Sequence, residues 1–328
     1  MIVCEYMAWS VSKRSLGRYV NPYIEDIKRD LWDAMLWRLG FYAEETPREP
    51  PPVNFEYPAN LLIYDRAHPT AVWIGHSTFM IKVNNLTFLT DPIFSPYCSP
   101  VHLQVFKRRH ELPMTIDELP PINCVLISHN HYDHLDEKSV ISLHRKKSDI
   151  IWIVPRGLKR WFDNRKIGSV YELDWGQSHQ LNDHCRITSV PTQHFSGRHL
   201  WDKNRTLWCG YVVECKGKTF FFAGDTGYNA IDFKQIGIKW PSIDLSLIPI
   251  GAYVPKKFMQ PVHISPAEAV NIHCDTGSRL SLGMHWKTFR LSEEPIDLPP
   301  YELYLAMKEK RLPYEAFLPI DPGRTINW

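Results

Sequence analysis

The chain lacks a Cys-x-x-Cys pair, a long apolar run, an excess of either charge and any low-complexity tract. Its seven cysteines are scattered and odd in number, which argues against a disulfide framework and for free thiols in a reducing compartment. No apolar stretch nears the ~20 residues that a spanning helix needs. The opening "MIVCEYMAWSVSKRS" carries too short an apolar run for a secretion signal. The expectation is an intracellular protein, in the cytoplasm or on the cytosolic face of a membrane. Lys and Arg total 38 against 36 Asp and Glu, a net charge of +2, so a broad polyanion-binding surface is not expected. "FKRRH" (Phe106–His110) is the one tight basic cluster near the candidate site, and nucleic acid is not an expected partner.

What is present reads as a folded protein. The 328 residues, 44% hydrophobic and 23% charged, are enough for a sizeable core in one large domain. Two parts separate. Residues 1–65 read as an extension: an amphipathic helix over Ile24–Tyr42, with Trp32, Met35, Leu36 and Trp37 near Lys28, Arg29 and Arg38, then a Pro-rich extended arm from "TPREPPPVNFEYP". That helix suits a membrane interface, or packing on the main body or a second subunit. Residues 66–328 read as one catalytic domain. "AVWIG", "FMIKV" and "LTFLTDP" form a meander with a turn at Asn84–Asn85. Strands then alternate with helices, and the scheme repeats. Asp136 caps "EKSVISLHRK", and Ser265 with Glu268 forms a capping box behind which Pro266 opens a helix. The expected fold class is α/β, a two-sheet sandwich with helices outside.

"NCVLISHNHYDHLD" (Asn123–Asp136) places His129, His131, Asp133 and His134 at the exit of an apolar strand. Residues two apart on an extended chain point the same way, so His129 and His131 can hold one ion. Asp133 and His134 can face a second. Imidazole and carboxylate suit zinc and related divalent metals. A lone His-x-His occurs by chance, but this denser run at a buried strand's end does not read as accident. Three more strand exits supply His194, Asp225 in "GDTG", and His285. The sets follow as His129, His131 and His194 on one ion and Asp133, His134 and His285 on the other, with Asp225 bridging.

This order of motifs resembles the metallo-β-lactamase superfamily from about Ala71 onward. "WIGHSTFMIKV", "FLTDPIFS", "ELPPINCVLISHNHYDHLD", "FFFAGDTGY", "IPIGAY" and "AEAVNIH" are similar to the N-acyl-phosphatidylethanolamine-hydrolysing phospholipase D family. The resemblance implies an αββα sandwich with two Zn2+ per chain and the cleavage of N-acyl-phosphatidylethanolamine into an N-acylethanolamine and phosphatidic acid. In that chemistry two ions activate a shared water against phosphorus. It further implies a phospholipid substrate, a peripheral membrane surface and a homodimer. Asp133 and Asp225 take catalytic parts beside their ligand roles. His263 matches a family histidine suited to help the leaving group or bind phosphate. Asp91 resembles a carboxylate that orients a metal-bound histidine, and it also reads as a plain strand-end turn. His76 matches a position without an assigned role, where a satisfied buried histidine is expected. The alternative activity is another dimetal hydrolase, a lactonase or a phosphodiesterase.

Overall fold

The computed structural model describes residues 12–24, 51–52, 54–59, 68–199 and 201–328. Past its first residue, the helix expected over Ile24–Tyr42 lies outside them. A short hairpin, β1 (Arg14–Ser15) and β2 (Arg18–Tyr19), precedes the main body. One sheet takes β3 (Thr70–Gly75), β4 (Thr78–Val83), β5 (Leu86–Thr90), β6 (Cys124–Leu126), β7 (Ile151–Pro155) and β8 (Val170–Leu173). The other takes β9 (Ser178–Asn182), β10 (Cys185–Val190), β11 (Gly210–Cys215), β12 (Lys218–Phe222), β13 (Ile243–Pro249), β14 (Ser278–Met284) and β15 (Phe317–Leu318). The chain then returns to the first sheet, where β16 (Thr325–Asn327) pairs antiparallel with β3.

Side-chain alternation explains why these strands read as continuous apolar runs. On β3, Ala71 and Trp73 join the core between the sheets, while Val72 and Ile74 join a second core under the outer helices. On β6, Leu126 faces inward and Val125 outward; on β7, Ile153 and Trp152 divide the same way. A strand buried on both faces needs apolar residues at every position. Outside lie α1 (Glu137–Lys146), α2 (Lys159–Asp163), α3 (Ala230–Lys239), α4 (Lys256–Met259), α5 (Pro266–Asp275) and α6 (Pro299–Glu309). Asp136 accepts from Ser139 N at the start of α1, and both halves of the Ser265–Glu268 box form at α5. Asn84 and Asn85 take φ of 48° and 65°, the left-handed pair that a two-residue hairpin demands.

Strand direction decides where the site lies. β3 and β5 both run antiparallel to β4, and β6 runs parallel to β5, so the exits of β3, β5 and β6 share one edge. In the second sheet β10 and β12 both oppose β11, while β13 and β14 run parallel to β12, so β10, β12 and β14 also exit together. Open α/β folds place their chemistry at such carboxyl-terminal edges.

The parts of 1–65 that are described lie against the body. Tyr19 is buried in the core between the sheets. Tyr19 N donates to Asn204 O at 2.8 Å, Arg18 donates to the carbonyls of Lys203 and Trp201, and Asn21 Nδ2 donates to His194 O at 2.8 Å. Phe55 packs against Tyr301 and Tyr304, and Tyr57 OH donates to Phe317 O.

One core histidine makes the fold acid-sensitive by itself. His273 on α5 is buried against Ser281 Oγ at 2.8 Å, and burial pulls its pKa down to about 4. Released on unfolding, it titrates near 6.5. Below pH 6.5 the unfolded chain therefore binds the extra proton, and stability present above that pH is lost as pH falls to about 4. The loss is about 3 kcal/mol in all. Denaturant titrations at several pH values should show a flatter decline from pH 6.5 to 4 in His273→Phe. An unchanged slope would contradict the assignment.

Candidate metal centre

Six loops from the two sheet edges meet at one point. They carry His76 after β3, Asp91 after β5, His129 to His134 after β6, His194 after β10, Asp225 after β12 and His285 after β14. The two halves touch closely. Gly224, at φ 60°, lies so near β6's exit that a methyl group there would sit 2.6 Å from Ser128 Cβ. Cys209 N donates to Ser128 O across the same seam.

The first group is His129, His131 and His194, with His129 Nε2 at 2.7 Å and His194 Nε2 at 3.3 Å from His131 Nδ1. Their far nitrogens are anchored: His129 Nδ1 lies 2.8 Å from Ser128 Oγ, and His194 Nδ1 lies 2.8 Å from Val262 O. If those nitrogens donate to these oxygens, the Nε2 lone pairs are left facing one another. The second group is His76, Asp133, His134 and His285. His134 Nε2 lies 3.3 Å from Asp133 Oδ2 and 3.2 Å from Asp225 Oδ2. His285 Nε2 lies 3.7 and 3.2 Å from the same two oxygens. Asp225 Oδ2 also lies 3.7 Å from His194 Nε2, so this carboxylate faces both groups. All seven residues read as ligands in the sequence are thus brought together.

The site's polar atoms fit a cation. His134 Nε2, His285 Nε2 and Asp225 Oδ1 are buried without a hydrogen bond. Leaving such atoms unsatisfied costs roughly 1–3 kcal/mol each, and buried polar groups are normally paired. Convergent imidazole nitrogens and carboxylate oxygens are donors that a zinc-like ion takes. The electrostatics agree. Burial holds His129 and His194 far below the usual imidazole range and His131 down to about 4. For Asp133 and Asp225, burial works toward the neutral acid, but the neighbouring histidines outweigh it and keep both well below the ordinary carboxylate range. His134 and His285 are desolvated too, yet the two carboxylates push the first well up and the second to about 9. The carboxylates thus draw positive charge into a dry pocket, as a divalent ion would supply it.

Further side chains set these donors. Asp91 is fully buried; its Oδ1 accepts from Ser128 N, and its Oδ2 lies 2.7 Å from His134 Nδ1. That contact is what orients His134. His76 does more than fill space. Its Nε2 lies 2.9 Å from Asp133 Oδ2, and its carbonyl accepts from His285 N and from the Trp73 indole. One residue therefore touches two members of the second group. Sequence reading expected only a satisfied histidine; the missing signal was that β3 ends on the same edge as β5 and β6. His263 stands at the mouth, its side chain 13% exposed and its Nδ1 3.9 Å from Asp225 Oδ2. Its ring lies 5.2 Å from His194 and 5.5 Å from His285.

Two variants test this arrangement by elemental analysis of the purified chain. His131→Ala and Asp225→Asn should each lose bound metal while keeping the native circular-dichroism spectrum. Asp91→Asn, which alters the oxygen set facing His134 Nδ1 and the N and Oγ of Ser128, should weaken metal retention against a chelator by about 10–100-fold. Unchanged metal content in all three would refute the centre.

Residues 87–286 match the family described as Beta-lactamase superfamily domain. The chain is 36% identical over 263 residues to N-acyl-phosphatidylethanolamine-hydrolyzing phospholipase D 1 of Caenorhabditis elegans, covering 77% of this chain and 74% of that one. It is 37% identical over 257 residues to the mitochondrial N-acyl-phosphatidylethanolamine-hydrolyzing phospholipase D of Saccharomyces cerevisiae, covering 72% of this chain and 54% of that longer one. Among solved structures, the metallo hydrolase Igni18 of Ignicoccus hospitalis superposes with a TM-score of 0.60 at 18% identity, covering 79% and 98% of the two chains. The last shows the fold: the αββα sandwich expected from the sequence. The chain is a metal-dependent hydrolase of the β-lactamase superfamily and belongs to its N-acyl-phosphatidylethanolamine-hydrolysing phospholipase D family.

Proposed function

We propose that the chain is a zinc-dependent phospholipase D that hydrolyses N-acyl-phosphatidylethanolamine to an N-acylethanolamine and phosphatidic acid. One observation carries this reading: two His/Asp groups converge on a shared Asp225 in a chain that is 36% identical to a phospholipase D of this specificity. His129, His131 and His194 would hold one cation, and Asp133, His134 and His285 the other, with Asp225 between them. When bound, such a pair supplies Lewis acidity toward phosphoryl oxygens and lowers the pKa of water.

The chain's own residues do the rest. Asp225 and Asp133 place negative charge at the centre of the pocket. Asp91 and His76 hold His134 and Asp133 in orientation, which saves reorganisation as charge develops. Asn130 Oδ1 accepts from Gly197 N, and Gln193 pairs with Thr226, Gly227 and Pro261. These bonds lock the loops bearing His131, His194, Asp225 and His263 to one another. His131, Asp133 and His263 are the partly exposed members, so substrate enters on their side. There His263 is placed to give a proton to the departing ethanolamine oxygen, general-acid help typically worth 10²–10⁴-fold.

Incubating the zinc-loaded chain with detergent-dispersed N-acyl-phosphatidylethanolamine should release N-acylethanolamine and phosphatidic acid in equal amounts. No release under these conditions would refute the reading. His263→Gln should lower kcat by about 10²-fold with metal content intact. Metal loss in that variant would instead make His263 a ligand.

A further inference from the structure

Two loops beside the metal centre expose apolar side chains to solvent. The first, between Tyr97 and Lys107, is closed at its base by a bridge between these two residues, and Cys98 N donates to Phe106 O. At its tip Val101 is 56% exposed, Leu103 51% and Val105 39%. The second loop follows His194 and presents Trp201, 65% exposed, with the His199 ring stacked 4.9 Å away. Tyr132, which sits between His131 and Asp133, joins them. It lines a cavity of about 360 Å³ whose walls include Pro100 and His102 from the first loop and Arg198 from the second. The Arg198 guanidinium lies 3.9 Å from the Tyr132 ring.

Four exposed large apolar side chains thus stand on two loops that meet at the Tyr132 cavity, next to His131 and Asp133. Lone exposed hydrophobics are ordinary, whereas a group of them beside a functional site marks a contact surface. Exposed cations accompany them. Lys107 and Arg109 follow the first tip, and Arg205 follows Trp201. The hairpin β1–β2 holds the second loop from behind, through Arg18 to the carbonyls of Trp201 and Lys203 and through Tyr19 N to Asn204 O. Apolar tips set on a braced frame with cations at their shoulders match an anionic bilayer surface: aliphatic groups enter the acyl boundary, tryptophan sits at headgroup level, and Lys and Arg meet lipid phosphate.

We propose that the rim formed by Val101, Leu103, Val105 and Trp201, with Lys107, Arg109 and Arg205, docks the chain on anionic phospholipid bilayers with the metal-centre mouth facing the lipid. This deepens the phospholipase reading and rests on it. Docked this way, the chain receives the substrate's phosphodiester at the pocket without full extraction of the lipid from the bilayer.

The test is co-sedimentation of the full metal-loaded chain with phosphatidylcholine vesicles, with and without phosphatidylserine. Association should be stronger with phosphatidylserine and should weaken as salt rises. Leu103→Asp and Trp201→Ser should each lower partitioning by about ten-fold or more. Ile238→Asp, on α3 and 66% exposed in the native chain, should leave it unchanged. Metal content and thermal midpoint report folding of each variant. Equal partitioning of all three variants would overturn the proposal. So would a Leu103→Asp chain that loses a dimer by sedimentation velocity while keeping its vesicle affinity, since the patch would then serve a second copy. Turnover of detergent-dispersed substrate separates the two readings. Turnover without rim-dependent docking sinks the docking surface alone. Rim-dependent docking without turnover sinks the phospholipase reading and leaves the surface standing.

Discussion

Two carboxylates, one buried and one at the pocket's partly exposed side, set the terms for this molecule. Asp133 and Asp225 sit among seven imidazoles in a pocket largely closed to water, and isolated anions there would be prohibitively costly. Positive charge must therefore be gathered around them and held at fixed distances. No single loop can supply that. The two sheets do so by ending their ligand-bearing strands on facing edges, and the close seam at Gly224 and Ser128 keeps those edges in register.

The loops that carry the ligands are in turn tied to one another rather than to water. Asp91 joins the exits of β5 and β6, His76 joins β3 to β6 and β14, and Gln193 joins β10 to the turn after β12. Such cross-ties place a side chain from one strand on the backbone or side chain of another. Local disorder in one loop would thus spread to several ligands, and the network is expected to order as a unit. This fits the general finding that groups just outside a metal's ligands orient them, and that altering such a group typically weakens binding by about 10–100-fold.

Much of this was legible in the sequence, and for identifiable reasons. Where a signal was local and chemically strong, the element formed as read: the Asp136 cap, the Ser265–Glu268 box, the Asn84–Asn85 turn, and apolar strands such as "IIWIV". The metal-binding candidates were legible because His-x-His-x-Asp-His concentrates donors at one strand exit. What escaped notice was long-range or weakly patterned. β9, "SHQLN", is a half-exposed edge strand without an apolar face. β16 pairs with a strand some 250 residues earlier. His76 is a single histidine after a glycine, and only the strand order reveals that it reaches Asp133. Likewise, nothing in the sequence of the two loops at 97–107 and 195–205 tells that they meet beside Tyr132.

The bond from Asn21 to the carbonyl of His194, with the neighbouring ties from Arg18 and Tyr19, joins the earliest described stretch of the chain to a loop made 173 to 185 residues later. On a ribosome, that first stretch waits for its partner until most of the polypeptide has emerged. His285 follows later still, after β14, so the donors of the pocket can converge only once both sheets have been made.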